Sequence, residues 1–431
     1  MIIDIEKYSC EEKRNIKFSP PDISDKEIEQ VADTLRSGWI TTGPKVKLLE
    51  KKLADYIGVG RTEKDTPRCV CLNSQTACGE LSLRMLGIGP QEGGSAEDEI
   101  ITCAYTYTAS ASVIAHIGTK IVLVDCQKDS LEMDYAALEN AINEHTKAII
   151  PIDLGGVPCD YDRIFDIVES KKALFHADND IQAAIGRVAV IDDAAHAIGA
   201  KVKFRGEWKM LGNVADFTNF SFHAVKNFTT AEGGACAWKH IDGVDDDELY
   251  HKFQLYSLHG QSKDALAKTQ VGAWEYDIVG TWYKCNMTDI MGGIGLAQFE
   301  RYPAILQRRR DIIETYDSVL QPLGIDVLNH YSDNHVSSGH LYITRIPGIG
   351  DAQRREVIVK MEEAGVACNV HYKPLPMHTA YKKLGFDIKD YPNAYARYEN
   401  AVTLPLHTCL TDEQVAYVIK TYEKVLKTLV F

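Results

Sequence analysis

Residues 188–200 read VAVIDDAAHAIGA, a short apolar run that ends in two aspartates. A short, mostly apolar run that is closed by a polar residue or a turn is typical of a buried parallel strand. Five further runs of this kind alternate with helical segments between about residues 68 and 240: DEIITCA, KIVLVDC, AIIPIDL, FTNFSFH and GACAW. Because strands that alternate with helices build parallel sheets, the alternation predicts an α/β fold with a large mixed, mostly parallel sheet.

Polar side chains close several of these runs. In open α/β sheets, functional residues gather beyond the carboxyl ends of the strands. The predicted ends carry Asp125, Asp153, Asp192, Asp193 and His223. We therefore expect the functional site to lie along this edge of the sheet.

The pattern changes after about residue 300. YPAILQRRRDIIETYDSVLQPLG predicts a long amphipathic helix, HLYITRI a strand and DAQRREVIVKMEEAGV a further helix. A capping box of Thr411 and Gln414 begins a C-terminal helix. The apolar stripe of that helix comprises Val415, Val418, Ile419, Tyr422 and Leu426. These features predict an N-terminal arm and large domain in residues 1–300 and a smaller α+β domain in residues 301–431.

Two local features complete this plan. Ser24 and Glu27 predict a capping box for an N-terminal helix that ends at Gly38. The apolar side chains on one face of that helix are Ile28, Val31 and Leu35. Residues 166–188 show no regular period, and we interpret them as an irregular surface excursion.

Composition restricts the function. The chain has 431 residues, a formal net charge of −14 and no low-complexity tract. The acidic balance argues against a nucleic-acid partner, which would require a basic face. No apolar run is long enough to span a bilayer, and the start lacks a signal-peptide pattern, so we expect a cytoplasmic enzyme without a membrane partner. The eleven cysteines show neither a disulfide framework nor zinc-type spacing, so no metal site is predicted.

SFHAVKNFTTAEGGA, residues 221–235, holds a single lysine in a polar but nearly uncharged run. A lysine on a surface helix usually lies among other charges. A partly desolvated lysine has a depressed pKa and becomes a nucleophile for carbonyl groups. Lys226 is therefore a candidate catalytic residue.

Three other stretches carry candidate chemistry, each with a plain structural alternative. In LNSQTACGELSLRML, a helix begins at Ser74, Gln75 and Thr76. These residues either bind an anion at the helix N-terminus or only cap the helix. In VAVIDDAAHAIGA, Asp193 and His196 are placed to meet a protonated ring nitrogen and a phenolic oxygen, or to cap a helix and pack in the core.

In TCAYTYTAS, Tyr107 follows a strand end and either stacks on a flat ring or belongs to the core. Taken together, the four stretches supply a phosphate-binding turn, a ring-stacking aromatic, a carboxylate for a ring nitrogen and a nucleophilic lysine. Pyridoxal 5'-phosphate requires this set of groups, and it is the predicted cofactor.

The order of these motifs resembles that of the DegT/DnrJ/EryC1/StrS sugar-nucleotide aminotransferases, which are fold-type I enzymes. The resemblance also covers GWITTGPKVKLLEKKLADYIGV near the N-terminus and VHYKPLPMH and VTLPLHTCLT near the C-terminus. It implies that Lys226 bonds the cofactor and carries protons, that Asp193 pairs with the pyridine nitrogen and that His196 approaches the ring hydroxyl. Tyr107 would stack on the ring. The implied phosphate ligands are Ser74, Gln75, Thr76 and Ser221, and the implied substrate residues are Thr41, Thr42, His371, Tyr372 and His378.

The resemblance further implies a homodimer whose sites are shared, with a partner Asn from an Asn-Tyr-Arg motif on the phosphate. Here YKCNMTDI places Lys284 where the family has Asn, and Asn286 where it has Arg. A lysine can also bind phosphate, so Lys284 is expected to make this contact across the dimer.

The implied reaction moves an amino group from glutamate to a nucleotide-linked keto-sugar, with 2-oxoglutarate as the other product. By resemblance to the UDP-4-amino-4-deoxy-L-arabinose subgroup, the expected position is C4, and the product is a nucleotide amino-sugar for cell-surface glycans or related compounds. A C3-keto-sugar aminotransferase and a non-catalytic cofactor-binding regulator remain as alternatives. Sugar 3-dehydratases of this fold carry His at the lysine position, and Lys226 argues against that class.

Overall fold

The computed structural model describes residues 2–9, 12–263 and 275–429. Its helices are α1 (Asp25–Ser37), α2 (Pro44–Ile57), α3 (Gln75–Met85), α4 (Ala109–His116), α5 (Tyr135–Ala141), α6 (Tyr161–Ser170), α7 (Asp180–Ile185), α8 (Asp246–Ser257), α9 (Asp289–Leu320), α10 (Asp351–Glu363), α11 (Thr379–Lys383), α12 (Pro392–Tyr398) and α13 (Asp412–Leu429). Its strands are β1 (Cys69–Leu72), β2 (Glu99–Cys103), β3 (Lys120–Val124), β4 (Thr146–Ile150), β5 (Ala189–Asp193), β6 (Lys201–Phe204), β7 (Glu207–Met210), β8 (Phe217–Ser221), β9 (Gly234–Trp238), β10 (Asp326–Val327), β11 (His335–Val336), β12 (Tyr342–Arg345) and β13 (Ala401–Leu404).

A seven-stranded sheet forms the centre of the large part, in the order β1-β9-β8-β5-β4-β2-β3. The pairs β8–β5, β5–β4, β4–β2 and β2–β3 are parallel, whereas β9 runs antiparallel to both β1 and β8. All six predicted runs are strands of this sheet, and the prediction of a mixed, mostly parallel sheet is confirmed. Strand β1 was not among the predicted runs.

The register of the sheet decides which strand ends meet. Gly234 pairs with Leu72 on one side and with Ser221 on the other. Two strand spacings of about 4.8 Å each therefore separate the turn after β1 from the end of β8. Asp193 pairs with Asn219 of β8, and Ile152 forms a bridge with Asp193. The predicted polar residues thus lie along one edge of the sheet.

The C-terminal part has its own sheet and its own apolar core. Strands β10, β12 and β13 form a three-stranded sheet, and a second small sheet joins β11 to β6 and β7. The predicted stripe of α13 is buried in a cluster with residues of α9, α10, β12 and β13. The predicted capping box is present, since the Thr411 N–H donates to Gln414 Oε1 at 3.0 Å and the Gln414 N–H to Thr411 Oγ1 at 3.2 Å. Helix α9 runs across residue 300, so the division of the chain at that residue stays a prediction.

Helix α1 has the predicted capping box and ends at Gly38, whose φ of 73° lies in the left-handed region. Its apolar face, however, points outward: Ile28 is 60% and Leu35 55% exposed. The buried residues of the helix are Glu27 and Thr34, and the helix packs against α9. Glu27 accepts hydrogen bonds from Gln298 at 2.9 Å and from Arg301 at 2.8 Å, so a polar side faces inward.

Two further expectations concern single stretches. Residues 166–188 are not irregular throughout, because they contain the end of α6 and the whole of α7. The final two residues of the predicted C-terminal helix segment lie outside the described residues. Among the described helices, none is both long and apolar enough to cross a membrane.

Candidate active site

Lys226 lies in the loop that joins β8 to β9, directly beyond the carboxyl end of β8. The Thr230 N–H donates to the Phe222 carbonyl at 2.9 Å and closes the loop. The Asn227 side chain donates to the carbonyl of Ser338 at 3.2 Å and ties the loop to the C-terminal part. These polar neighbours therefore fix the backbone from which Lys226 extends.

The Lys226 ammonium group has an unusual environment for a lysine. Lys226 is half-buried, and its Nζ forms no hydrogen bond or ion pair with the described part of the chain. Burial lowers the pKa of Lys226 to about 8, and the charge of Asp193 opposes part of that shift. Near neutral pH, far more of this amine is uncharged than of an ordinary lysine with a pKa of about 10.4. An uncharged amine is the form that attacks carbonyls and accepts protons.

Asp193 is 5% exposed and closes strand β5. Its Oδ2 accepts a hydrogen bond from the Ser110 hydroxyl at 2.6 Å, and its Oδ1 accepts one from the Ala195 N–H at 3.2 Å. Burial raises the pKa of Asp193, while these bonds and the positive charge of Lys226 work against the rise. Lys226 and Asp193 influence each other's charge, and no ion pair joins them in the described structure.

His196 is a buried, neutral imidazole. Its Nδ1 accepts a hydrogen bond from the Gly155 N–H at 3.1 Å, so the ring proton is on Nε2. Nε2 lies 3.2 Å from the Tyr372 hydroxyl oxygen. Burial and the nearby charge of Lys226 hold the pKa of His196 well below its usual value. The fold thus presents a fixed N–H donor rather than an imidazolium.

Ser110, Gly155 and His340 belong to this site and had no predicted role. The ring centroids of His340 and His196 are 4.4 Å apart. His340, which belongs to the C-terminal part, therefore packs against His196. Ser110 occurs in the TCAYTYTAS stretch, but nothing in its spacing indicates a bond to Asp193. The contacts of Gly155 and His340 join segments far apart in the chain, so only the folded structure reveals them.

The turn after β1 has the geometry of an anion site. Ser74 is the N-cap of α3 and accepts a hydrogen bond from the Ala77 N–H at 3.1 Å, so the capping interpretation is correct for its side chain. The N–H groups of Gln75 and Thr76 belong to the first turn of the helix, where no intrahelical acceptors exist. Capping and anion binding are compatible here because they use different groups.

Gly234 brings this turn close to the rest of the site. A Cβ atom on Gly234 would lie 2.5 Å from the Gln75 backbone nitrogen and 2.8 Å from the Phe220 carbonyl oxygen. Only glycine permits this approach, which explains the glycine at the start of β9. Ser221 is buried beside it at the end of β8. The predicted phosphate residues are therefore assembled at one edge, although the amide of Gln75 also acts on Asp193 by opposing the rise in its pKa.

The rings of Tyr372 and Tyr107 line the side of the site next to His196. The Tyr372 ring stacks near the His196 ring, with 6.1 Å between centroids, and the Tyr107 ring lies 5.8 Å from that of Tyr372. Tyr107 is 60% exposed, so the alternative of a core aromatic is wrong. Burial and the charge of Lys226 lower the pKa of His371 to about 3, so His371 is neutral near the lysine.

The other predicted substrate residues lie farther from Lys226. His378 is exposed, and its Nε2 contacts the Lys373 carbonyl at 3.2 Å, so its role toward the substrate stays a prediction. The Thr42 hydroxyl donates to the Met287 carbonyl at 2.5 Å, and the exposed Thr41 precedes it. Both threonines border the segment that carries Lys284.

Lys284 is exposed and makes a hydrogen bond to Asn286 in its own chain. Asn286 forms a bridge with Leu72, and the Asn73 N–H donates to the Cys285 carbonyl at 2.8 Å. The segment therefore runs beside the turn after β1 of the same chain, where the phosphate is predicted to bind. The contact across a dimer stays a prediction.

A second carboxyl group lies on the opposite side of strand β5 from Asp193. Asp192 is 1% exposed, and neither of its carboxyl oxygens has a hydrogen-bond partner in the described structure. Its neighbour Asp153 accepts bonds from the Cys159 N–H at 2.8 Å and the Tyr161 hydroxyl at 3.1 Å. Burial raises the pKa of Asp153 to about 7, and burial together with Asp153 raises that of Asp192 well above its usual value.

This pair predicts a pH-dependent stability. Because the folded-state pKa values are raised, the stability contributed by the protonated pair is full below the unfolded values and is lost as pH rises through about 7. Asp192→Asn removes the carboxyl group of the pair whose pKa is raised more strongly, so the loss of unfolding free energy between pH 6 and 8 should shrink. One unit of pKa change in Asp153 corresponds to about 1.4 kcal/mol. Denaturant unfolding at pH 6 and pH 8 measures this loss of unfolding free energy. The matched control is Asp242→Asn, at an exposed aspartate. An unchanged pH slope in Asp192→Asn would contradict the paired assignment.

The arrangement fits pyridoxal 5'-phosphate. The first turn of α3 offers free N–H groups for a phosphate, and Asp193 is a buried carboxylate without a cation in contact. Lys226 is an amine without a partner among the described residues, and a pyridinium N–H would give Asp193 the charged partner that burial favours.

Comparison with known proteins agrees with this chemistry. The family model described as the DegT/DnrJ/EryC1/StrS aminotransferase family matches residues 21–423. The structure is similar to that of Spr1654 from Streptococcus pneumoniae, assigned as a sugar aminotransferase, in its PMP-form: TM-score 0.90, 54% identity, 96% of this chain and 100% of that chain. The PLP-form of the same protein gives a TM-score of 0.89 at 52% identity, with 97% and 100% of the two chains covered.

Two sequence relatives extend the comparison. The spore coat polysaccharide biosynthesis protein SpsC of Bacillus subtilis is 33% identical over 96% of this chain and 99% of its own. The UDP-4-amino-4-deoxy-L-arabinose–oxoglutarate aminotransferase of Shewanella sediminis is 33% identical over 94% of this chain and 96% of its own. With a family model that spans most of its length and relatives of this identity and coverage, the chain belongs to the DegT/DnrJ/EryC1/StrS aminotransferase family.

Proposed function

We propose that this protein transfers an amino group from glutamate to the C4 carbonyl of a nucleotide-linked keto-sugar. The observation that carries the proposal is the pair of Lys226 and Asp193, an amine of lowered pKa and a buried carboxylate whose charges interact although no ion pair joins them in the described structure. The product would be a nucleotide amino-sugar for a cell-surface glycan or a related compound.

The cofactor is pyridoxal 5'-phosphate, which would supply an aldehyde carbon that takes up and releases the amino group and a ring that accepts electrons. Ser74, Gln75, Thr76 and Ser221 would hold its phosphate at the edge formed by α3 and β8. Tyr107 would lie against the ring, and Asp193 would pair with the ring nitrogen.

Each polar side chain then has a distinct task. Lys226 takes a proton as a neutral amine and returns it, and a pKa of about 8 keeps both forms accessible near neutral pH. Asp193 keeps a proton on the nitrogen opposite it, because a buried carboxylate favours a cationic partner. His196 donates from Nε2, and Gly155 maintains that tautomer. Tyr372 and the neutral His371 shape the side of the site that faces the substrate.

The substrate part of the proposal has two supports. One is the similarity to the Shewanella sediminis enzyme, whose name specifies a 4-amino sugar and oxoglutarate. The other is the position of Thr42 and Asn286, whose side chains form a hydrogen bond of 2.5 Å beside the phosphate-binding turn. In a chain with a net charge of −14, an anionic nucleotide needs local basic groups, and Lys284 is one.

The test is incubation of the purified enzyme with glutamate, pyridoxal phosphate and a panel of nucleotide 4-keto and 3-keto sugars. Mass detection should find a 4-amino product and 2-oxoglutarate in equal amounts. A product from 3-keto sugars alone would move the reaction to C3, and the absence of any aminated sugar would contradict the proposal.

We also infer a homodimer with shared sites. The apolar residues Ile28, Leu35, Ile40 and Leu48 of the α1–α2 region are each 46–60% exposed, and a second copy of the chain would cover them. Size-exclusion chromatography with light scattering should give a mass of about twice 48.1 kDa. A fully active monomer would exclude shared sites.

The trans role of Lys284 has its own test. Lys284→Ala should weaken cofactor retention by about 1.5–3 kcal/mol, the usual loss for a hydrogen bond to a charged group, and leave the dimer intact. Mixing Lys284→Ala with Lys226→Ala then separates two arrangements. If Lys284 acts across the dimer, each heterodimer has one site that lacks both residues and one intact site, so activity returns. If it acts within its own chain, both sites are damaged, and a mixture that stays inactive despite subunit exchange would refute the trans role.

A further inference from the structure

A cavity of about 240 Å³ lies outside the catalytic site, between the large sheet and the C-terminal sheet. The loop after β3, the turn after β4 and strands β10 and β12 surround it, with Arg397 of α12. Its lining includes neither Lys226 nor Asp193. Since drug-sized ligands occupy pockets of about 300–1,000 Å³, this cavity suits a smaller molecule.

The cavity has an aliphatic wall, and the most buried charged group of its lining is a cation. Leu131, Leu154, Val157, Leu328 and Ile343 supply aliphatic surface. Arg397 is only 7% exposed, so its guanidinium is almost removed from water.

Arg397 is poorly satisfied for a buried arginine. Its Nη2 donates to the Lys128 carbonyl at 2.5 Å, and its Nε is buried without a partner. Within the described residues it forms no ion pair, and burial together with Arg345 lowers its pKa. A buried charge without a counter-ion is costly, so an anion in the cavity would relieve that cost.

None of the carboxylates of the lining forms an ion pair with Arg397, although the charge of Asp129 opposes the fall in its pKa. The Glu132 carboxylate accepts a hydrogen bond from the Tyr135 hydroxyl and another from the Asp160 N–H at 3.0 Å. Asp326 is at the rim, 61% exposed, and pairs with Arg345 at 3.6 Å. Asp129 is also exposed.

We propose that this cavity is a binding site for a small aliphatic carboxylate, with the carboxylate on Arg397 and Arg345 and the alkyl chain against Leu154, Val157 and Leu328. The site is directly behind the turn that serves the catalytic centre. Leu154 and Val157 line the cavity, whereas the Gly155 N–H between them holds His196 and the Asp153 N–H donates to the Asp193 carbonyl at 3.2 Å. A bound carboxylate therefore contacts the same turn that fixes His196.

The probe is hexanoate, titrated into the cofactor-loaded enzyme by calorimetry with excess 2-oxoglutarate present. Hexanoate should bind saturably to the natural chain, and Arg397→Gln should weaken binding at least tenfold, because the neutral amide cannot pair with the carboxylate. Arg355→Gln is the matched control, since Arg355 is an exposed arginine of α10. It should bind hexanoate like the natural chain.

Two further arms locate the site and define its ligand. Leu328→Trp fills the cavity from the aliphatic wall and should abolish binding without removing a charge. Hexanol should bind at least tenfold more weakly than hexanoate. Absence of saturable hexanoate binding, or equal binding by Arg397→Gln or Leu328→Trp that fold normally, would overturn the proposal. None of these outcomes depends on which sugar is aminated, because binding is measured directly.

Discussion

Lys226→Ala should lose transamination by at least about 10²–10⁴-fold, because positioned proton transfer alone contributes that much to catalysis. In its proposed role the lysine would also form the covalent link to the cofactor, so the loss of that link would add to the effect. In the natural enzyme, borohydride should fix the cofactor irreversibly to the chain, and in Lys226→Ala it should not. Peptide mass mapping of the reduced protein should place the adduct within residues 221–235.

The control is Lys203→Ala, an exposed lysine of β6 that should keep the adduct and full activity. Lys226→Ala should still bind the cofactor without a covalent link, because the substitution leaves the predicted phosphate-binding turn unchanged. If Lys226→Ala turned over normally, or if borohydride fixed the cofactor to another lysine, the assignment of Lys226 would be wrong.

Asp193→Asn should lower kcat by about 10²–10⁴-fold while the cofactor remains bound. Breaking a buried charge pair costs about 3–5 kcal/mol, and each 1.4 kcal/mol is a factor of ten in rate. The amide keeps the shape of the carboxylate and can still bond the Ser110 hydroxyl at the Oδ2 position, but it no longer favours a protonated ring nitrogen. Single-turnover kinetics, followed in the visible absorbance of the cofactor, should show that proton transfer is the slowed step.

A matched control separates electrostatics from packing. Ser110→Ala removes one hydrogen bond to the Asp193 carboxylate and leaves its charge, so its effect should be near the 1.5–3 kcal/mol that a hydrogen bond to a charged group contributes, about 10- to 150-fold. If both variants slowed the reaction equally, the charge of Asp193 would not be the important factor. If Asp193→Asn instead lost the cofactor, the carboxylate would serve binding rather than catalysis.

The amino-acid sequence by itself determined six of the seven strands of the large sheet and the position of their polar ends. The apolar runs around Asp193 and Lys226 are strongly patterned, and residue order alone places both after strands. Capping boxes such as Ser24 with Glu27 are equally local, because their partners are three residues apart. These features could be predicted because each depends on neighbours in the chain.

Only the tertiary structure decided which face of a helix is buried and which distant groups share a proton or a hydrogen bond. The outward face of α1, with Ile28 and Leu35 exposed, depends on Arg301 and Gln298 binding Glu27 from α9. The tautomer of His196 depends on Gly155 of another strand connection, and the raised pKa of Asp153 on its burial beside Asp192. Such contacts join residues that are remote in the chain, and their energies come from burial and distance, which no local pattern records.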